Sequence, residues 1–268
     1  MRFYLGLPPT SKQVLGEIFF VQNYLGGIWN HTWSLAVEEH FYIGLALLVL
    51  WLLSANPSDP FRRVPLIFVI IATVCLSFRF LNLIFHPTYS NETYLFPTHI
   101  RIDSLMFGVL LSYLWNFKEL EKRIAQVPSF VLFLVGMLFI SPAFIFGLES
   151  HKWLSIGGVV FFYFGAGLLL LAALRWQSTK SFPIRILSGL GAASYSVYLW
   201  HMPFAIWGYY FLSKISGHDS YYFYLFNAIV GSCAFGWLLN RLIETPTLMI
   251  RDRLFPSQSS AIITSAKI

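Results

Sequence analysis

Residues 29–42 read Trp-Asn-His-Thr-Trp-Ser-Leu-Ala-Val-Glu-Glu-His-Phe-Tyr and open a hydrophobic helix that continues well beyond them. Two adjacent carboxylates, Glu38 and Glu39, fall within its first turns. A carboxylate near the centre of a bilayer costs about 2.5–3.5 kcal/mol on insertion scales, so such residues are rare and usually functional. Ser34, Glu38 and Tyr42 are spaced i, i+4, i+8 and lie on one helical stripe. The stretch therefore predicts one wall of a polar site that is shielded from lipid.

The composition indicates an integral membrane protein. The chain has 268 residues, of which 57% are hydrophobic and only 11% are charged, and its mean hydropathy is +0.65. Soluble domains carry about 25% charged residues. The net charge of +6 comes from basic residues in short loops. That distribution is typical of the positive-inside bias of membrane proteins and does not indicate nucleic-acid binding. Cys75 and Cys233 lie in apolar runs and are interpreted as packing residues.

Apolar runs of bilayer-spanning length predict an all-α, polytopic membrane helix bundle. Seven runs reach about 20 residues, the length that a transmembrane helix needs. They cover residues 33–53, 64–85, 99–116, 128–147, 155–174, 186–212 and 221–243. An eighth run, residues 14–29, is short and polar, and we expect a partial or re-entrant segment there. We expect one transmembrane domain over residues 1–255, followed by a polar tail over residues 256–268.

The basic residues predict the orientation of the bundle. Twelve lysines and arginines fall in alternate connections, against four on the other side, namely Arg2, Lys12, Lys152 and Lys214. The positive-inside rule then places the start of the first long helix outside and the C-terminus in the cytoplasm. Compact loops and the lack of a signal-peptide pattern favour the cytoplasmic (inner) membrane of a bacterium.

Ionisable side chains from four separate helices are predicted to meet in the outer half of the membrane. Besides the two adjacent glutamates, Arg79 lies in the outer third of the second helix, and Arg101 and Asp103 lie in the first turns of the third. His201 lies about four turns along the sixth helix. Arg79 and Arg101 have the charge to pair with the carboxylates, as intramembrane charges require.

The sixth helix carries a polar face of its own. Ser194, Tyr198 and His201 are spaced i, i+4, i+7, and Tyr195 adds a second phenol next to them. We expect Tyr198 either to hydrogen-bond a ring nitrogen of His201 or to hold a substrate hydroxyl. The face therefore predicts a contribution of this helix to the same polar site.

Each of these residues also has a structural interpretation, which stays open at this point. The adjacent glutamates have an alternative role in ion pairs alone, and His201 has one as a satisfied core histidine. Arg101 and Asp103 have one as an interfacial pair whose charged heads reach the water layer. Arg79 lies too deep for that explanation.

Four segments resemble the membrane-bound acyltransferase 3 family, whose multi-span members move acyl groups, often acetyl, onto sugars and other hydroxyl acceptors. Residues 33–42 resemble the signature helix of that family, and residues 99–108 resemble its Arg-x-Asp-x-Leu helix opening. Residues 194–201 resemble its Tyr-Ser-x-Tyr-Leu-x-His segment, and residues 244–246 resemble its terminal Glu-x-Pro. The family usually has Gln where this chain has His40, and an imidazole can imitate the hydrogen bonding of that amide.

The resemblance implies an integral membrane O-acyltransferase. Its co-substrate would be an acyl-CoA, in particular acetyl-CoA, and no bound cofactor or metal is expected. The acceptor would be a hydroxyl of a cell-surface or exported carbohydrate or of a lipid-linked glycan. We expect the catalytic residues to be Glu38, Glu39 and His201, because acyl transfer needs a base for the acceptor proton. The expected substrate-binding residues are Ser34, Tyr42, Arg79, Arg101, Asp103, Tyr195 and Tyr198.

The family fold also has N-terminal helices that carry an essential Arg/His motif. This chain begins with the stretch that normally follows them, so we expect a truncated or mis-started member that corresponds to the C-terminal part of the family fold. Two other functions stay open. One is a transporter or exporter whose translocation path is lined by the same buried charges, and the other is an inactive membrane subunit.

Overall fold

Helices joined by short turns make up the protein in a computed structural model, which describes residues 8–147, 149–176, 182–217 and 220–255. No strand occurs in these residues, as the sequence predicts. The helices sort into two compact units, Met1–Gln177 and Ser178–Ile268, and each is described by itself. The predicted single domain over residues 1–255 stays a prediction, and the predicted tail over residues 256–268 lies outside the described residues.

The first unit holds ten α-helices in its described residues. They are α1 (Ser11–Ile18), α2 (Gln22–Leu25), α3 (Trp33–Ala55), α4 (Val64–Phe85), α5 (Asn91–Tyr94), α6 (Ile102–Phe117), α7 (Leu120–Arg123), α8 (Ser129–Ile140), α9 (Pro142–Ile145) and α10 (Val159–Leu174). A 3-10 turn, Pro60–Arg63, leads into α4, and another, Thr98–Ile100, comes just before α6. A π-helical segment, Leu154–Gly158, leads into α10.

Four helices in the described residues are long and apolar enough to cross a membrane, rather than the seven predicted. They are Trp33–Ala55, Pro60–Phe85, Leu154–Leu174 and Tyr221–Leu254. Two shorter apolar helices are Ile102–Phe117 and Ser129–Ile145. The all-helical fold is thus confirmed, with four candidate membrane spans in the described residues, whereas the count of seven full-length helices is not.

Helix boundaries differ from the predicted runs for local reasons. The predicted helix over residues 99–116 begins only at Ile102, because the 3-10 turn after Pro97 occupies its first residues. The run over residues 128–147 is interrupted at Pro142, which has no N–H to continue the helical hydrogen bonds. The run over residues 221–243 is longer than predicted and continues to Leu254.

Residues 11–32, here called the N-terminal segment, fold back onto the start of α3. The backbone reverses at Phe20, which has a left-handed φ of 53°. Glu17 Oε1 accepts hydrogen bonds from the Ile28 backbone N–H at 2.9 Å and from Thr32 Oγ1 at 2.8 Å. Gln22 Nε2 donates to the Thr32 carbonyl at 2.8 Å. These bonds hold two short helices where the sequence predicted a partial or re-entrant apolar segment.

An aromatic core joins α3, α4, α6 and α10 in the first unit. Phe41, Phe68, Phe107 and Tyr163 are buried in one cluster, together with Met106. The Phe107 and Tyr163 ring centroids lie 5.0 Å apart, within the usual range for aromatic pairs. The core fixes the register of the helices whose ends carry the polar residues.

The second unit consists of helices that are repeatedly interrupted by π turns. Its α-helices are α11 (Phe182–Ala192), α12 (Ser194–Pro203), α13 (Tyr209–Ser216), α14 (Tyr221–Phe226), α15 (Ser232–Leu239) and α16 (Thr245–Leu254). The π segments are Phe204–Gly208, Asn227–Gly231 and Asn240–Glu244. α12 packs on α15, where Gly236 lies directly against the backbone of Val197. The run predicted over residues 186–212 is therefore split between α11 and the helix that begins at Ser194.

Candidate active site

A buried ion pair joins α4 to the start of α6. Arg79 Nη2 lies 2.5 Å from Asp103 Oδ1, and the two side chains are only 2% and 0% exposed. Arg79 Nε also donates to the Ile100 carbonyl at 2.8 Å. The predicted pairing of Arg79 with a carboxylate is thus confirmed, and the carboxylate is Asp103. The two contacts fix the 3-10 turn and the first turn of α6 against α4.

Arg101 connects the start of α6 to the start of α3. Its Nε donates to the Leu95 carbonyl at 2.8 Å, and its guanidinium carbon lies 5.4 Å from the Trp33 ring centroid. The Phe96 ring also stacks on Trp33, with the two ring centroids 5.0 Å apart. In the described part of the chain Arg101 forms no ion pair with Glu38 or Glu39. Its guanidinium therefore lies near α3 without a direct carboxylate contact in these residues.

Arg101 also borders a cavity of about 370 Å³ between α6 and α10. The remaining wall is mostly apolar and includes Phe107 and Tyr163, and Ser104 adds a hydroxyl. A cation at the edge of an apolar cavity suits a ligand with an apolar arm and a polar or anionic group.

Glu38 and Glu39 lie half-buried near the start of α3. Within residues 8–147 and the other described stretches, neither carboxylate takes part in an ion pair or a side-chain hydrogen bond. Ser34 is half-buried on the same stripe, while Tyr42 is 57% exposed. The stripe thus extends from the start of α3 to the surface of the first unit, and its carboxylate, Glu38, has no ion-pair partner in the part of the chain that the structure describes.

His40 makes the side-chain hydrogen bond that its position in the signature helix suggests. Its Nδ1 lies 2.8 Å from Thr98 Oγ1. Asn23 Nδ2 donates to the same Thr98 oxygen at 2.8 Å and to the Phe96 carbonyl at 3.3 Å. Thr98 therefore links α3 to the N-terminal segment. The sequence gives no signal for Asn23 or Thr98 as part of this site.

A second imidazole extends the same network. The Tyr24 hydroxyl lies 3.1 Å from His99 Nδ1, and the two rings stack with centroids 5.9 Å apart. Burial lowers the pKa of His99 below its ordinary value, because desolvation disfavours the charged imidazolium. A neutral ring at neutral pH has an unprotonated nitrogen that accepts a hydrogen bond from Tyr24. The predicted site did not include Tyr24 or His99.

His201 lies half-buried on α12 in the second unit. Its Nδ1 is 2.6 Å from the backbone carbonyl of Tyr198. A carbonyl only accepts, so Nδ1 is the donor in this bond, and Nε2 is the ring nitrogen that can act as an acceptor. The geometry therefore suits a general base that acts through Nε2.

A cavity of about 360 Å³ lies beside the same helix. Ser196 Oγ donates to Glu244 Oε2 at 2.5 Å on its wall, and Tyr195, which is 52% exposed, lines it. Glu244 belongs to the segment that resembles the terminal Glu-x-Pro of the family. The bond thus ties two of the four recognised segments together within the second unit.

The predicted site residues are divided between the two units. Ser34, Glu38, Glu39, Tyr42, Arg79, Arg101 and Asp103 belong to the first, and Tyr195, Tyr198 and His201 belong to the second. Contacts in the first unit bring together the ends of α3, α4 and α6, as the sequence predicts. A single pocket that also includes His201 stays a prediction. The described residues contain no group of three His, Cys, Asp or Glu side chains able to hold a metal ion.

Comparison with known proteins agrees with the segments recognised in the sequence. The family model described as "Acyltransferase domain" matches residues 3–241. O-acetyltransferase OatA of Staphylococcus aureus (strain NCTC 8325 / PS 47) is 27% identical over 225 residues, which cover 81% of this chain and 36% of OatA. The protein SACOL0978 of Staphylococcus aureus (strain COL) is 29% identical over 258 residues, covering 88% of this chain and 41% of that protein. No solved structure matches the chain.

The chain therefore spans well under half the length of these relatives. The family model, in contrast, covers almost all of the chain, including the carboxylates of α3, the Arg79–Asp103 pair and His201. The chain belongs to the acyltransferase 3 family.

Proposed function

We propose that the protein is a membrane O-acyltransferase that moves an acyl group, in particular acetyl from acetyl-CoA, onto a hydroxyl of a cell-surface or exported carbohydrate. The observation that carries the proposal is the pair of half-buried carboxylates, Glu38 and Glu39, at the start of a membrane-length helix, neither of which has an ion-pair partner among the described residues. A charge kept there without a structural partner is costly, so a functional role explains it best. Family membership and the name of the relative OatA support the same reaction class.

The proposed reaction is a direct acyl transfer. A base, either a carboxylate of Glu38 or Glu39 or Nε2 of His201, takes the proton of the acceptor hydroxyl. The hydroxyl oxygen then forms a bond to the thioester carbonyl carbon, the carbon–sulfur bond breaks, and the coenzyme A thiolate leaves and takes up a proton. Arg101 is positioned to stabilise the negative charge that develops on the carbonyl oxygen, because its guanidinium has no carboxylate partner among the described residues.

Arg79 and Asp103 take a positioning role in this proposal. Each side chain is almost completely closed to solvent, and its charge is paired with the charge of the other. Their pairing keeps the 3-10 turn and Arg101 next to Trp33, so they act on the substrate through Arg101. Ser34, Tyr42, Tyr195 and Tyr198 are proposed to bind the acceptor or the donor.

The proposed setting is the cytoplasmic (inner) membrane of a bacterium with the C-terminus in the cytoplasm. The shorter helices over Ile102–Phe117 and Ser129–Ile145, and the helix of the second unit that starts at Ser194, would complete the seven crossings. At 1.5 Å per residue a 16-residue helix spans about 24 Å, which is less than the about 30 Å of the hydrocarbon layer, so local thinning is expected there. Acyl-CoA is made in the cytoplasm, and the bundle would deliver its acyl group outward.

Membranes that contain the full chain, incubated with radiolabelled acetyl-CoA and a cell-wall carbohydrate acceptor, test the proposal. We expect label in the acceptor, and we expect Glu38→Ala and His201→Ala to abolish it. Glu121→Ala is the matched control, because Glu121 is an exposed carboxylate in α7. Activity near wild type in both site variants would overturn the assignment. A folded wild-type chain that labels no acceptor would point instead to a transporter or an inactive subunit.

A further inference from the structure

The N-terminal segment and α5 enclose a polar cavity of about 330 Å³ that the proposed reaction leaves unused. Four carboxamide side chains line it, Gln13, Gln22, Asn23 and Asn30, together with the rings of Tyr24 and Phe96. Its volume is at the lower end of the about 300–1,000 Å³ of small-molecule sites. Asn30 is exposed and Tyr24 is 50% exposed, so the cavity opens to the surface of the first unit.

Two buried hydrogen-bond acceptors in its wall are left unpaired. Gln22 and Asn23 are each 2% exposed, and both donate through their side-chain nitrogens to Thr32, Phe96 and Thr98. Gln22 Oε1 and Asn23 Oδ1 accept no hydrogen bond in the described structure. A buried polar atom left without a partner costs about 1–3 kcal/mol. Both oxygens are closed to solvent, so a ligand with hydroxyl donors would remove that cost after a small shift of the side chains that carry them.

The charge around the cavity disfavours an anionic ligand and is compatible with a neutral one. Glu92 is the charged side chain in its described wall, and no lysine or arginine lines it. An anionic headgroup or phosphate would find no cation there. Hydroxyl groups can donate to the carboxamide oxygens and to Glu92, and the Tyr24 and Phe96 rings provide apolar surface for the C–H face of a sugar ring.

We propose that this cavity binds one neutral sugar unit of the acceptor carbohydrate, an inference that rests on the proposed function. The wall is linked to the carboxylate helix by a continuous set of hydrogen bonds. Asn23 donates to Thr98, and Thr98 in turn contacts His40 on α3, the residue directly after Glu39. Tyr24 contacts His99 in the middle of the 3-10 turn. A sugar held in the cavity therefore lies against the segment that positions the start of α3.

Direct binding of neutral sugars, measured without any acyl donor, tests the inference. The full chain in lipid nanodiscs is titrated with methyl glycosides of glucose, galactose and N-acetylglucosamine, with glucose 6-phosphate as the anionic comparison, and binding is followed by saturation-transfer NMR. We expect saturable binding of a neutral glycoside and at least tenfold weaker binding of the phosphate. Gln22→Met removes one unpaired acceptor and should weaken binding at least tenfold. Gln126→Met, at an exposed glutamine between α7 and α8, is the matched control.

Because Gln22 is buried and its replacement risks misfolding, Asn30→Trp provides a second variant. This residue is exposed at the rim, so a large side chain there blocks the cavity without disturbing the core. Loss of glycoside binding in Asn30→Trp supports the inference even if wild type transfers no acetyl group, a result that would count only against the proposed function. Equal binding by wild type and Asn30→Trp overturns the inference. Acetyl transfer by wild type with no saturable glycoside binding overturns it as well, and leaves the proposed function standing.

Discussion

Among single residues, the Arg79–Asp103 ion pair should contribute most clearly to the free energy of unfolding. Replacing either residue alone with Ala leaves an unpaired charge in a site that solvent barely reaches. Breaking a buried pair in this way costs about 3–5 kcal/mol. We expect a loss of that size in the free energy of unfolding for each single variant, measured by denaturant titration in detergent.

The double variant Arg79→Met/Asp103→Leu is the control for that prediction, because it removes both charges and keeps apolar volume. We expect it to recover most of the stability lost by the single variants. A double variant that is no more stable than either single one would contradict the burial argument and assign the loss to packing.

The sequence indicates that Arg79 needs a carboxylate partner, but it does not indicate which carboxylate. A guanidinium in the middle of an apolar helix requires a carboxylate, and three were available in Glu38, Glu39 and Asp103. The 3-10 turn before α6 decides among them, since it places Asp103 within reach of Arg79. The bonds of Asn23 to Phe96 and Thr98 join residues 73 and 75 positions apart, and no local spacing encodes such contacts.

At the scale of elements, the contact between α8 and α10 depends on two glycines. A Cβ added at Gly165 would lie 2.8 Å from the Gly136 carbonyl oxygen and 2.7 Å from Ile140 Cγ1. The backbone cannot yield as a flexible side chain does, so we expect Gly165→Ala to destabilise the protein by about 1–3 kcal/mol, the usual cost of overpacking. The unfolding midpoint on heating is the measurement.

Gly44→Ala on α3 is the matched control, because a Cβ there meets nothing within 4 Å. Alanine is favoured over glycine in a helix interior by about 1 kcal/mol, so this variant should leave stability unchanged or raise it. The packing explanation would be refuted by a loss at Gly44 as large as the loss at Gly165.

The existence of most elements was readable from the sequence, whereas their ends were not. Apolar runs locate α3, α4 and α10 well, because a bilayer imposes both length and composition. The N-terminal segment shows the limit of that reasoning. Its apolar residues are interrupted at Phe20, and Glu17 and Gln22 form internal polar bonds that turn the chain back, which hydropathy alone does not reveal.

At the scale of the whole molecule, the distribution of basic residues predicts the orientation. Arg62 and Arg63 lie between α3 and α4, whereas residues 86–98 contain neither lysine nor arginine. In a chain with both native cysteines replaced by alanine, Glu92→Cys should react with a membrane-impermeant maleimide on intact cells. Ser58→Cys should react only after permeabilisation, because positively charged loops stay in the cytoplasm.

The opposite labelling pattern would invert the orientation and remove the outward delivery of the acyl group from the proposed function. Both positions are exposed, so labelling reports the side of the membrane and not burial.

Hydropathy predicted the class of the molecule correctly, but it overcounted the full-length spans. A 3-10 turn or Pro142 can interrupt the helix inside an apolar run. The run then keeps its apolar composition, but the helix within it is shorter than the run.

The π segments in the helix from Tyr221 to Leu254 change which direction each later side chain faces. An i→i+5 turn contains one residue more than an α turn, and one residue corresponds to about 100° of rotation. Two such segments, Asn227–Gly231 and Asn240–Glu244, add up to an offset of about 200°. A helical wheel drawn from Tyr221 at constant pitch would therefore assign the side chains of α16 to nearly the opposite face of the helix. Mutagenesis scans that choose lipid-facing positions in this helix should number the wheel afresh after each π segment.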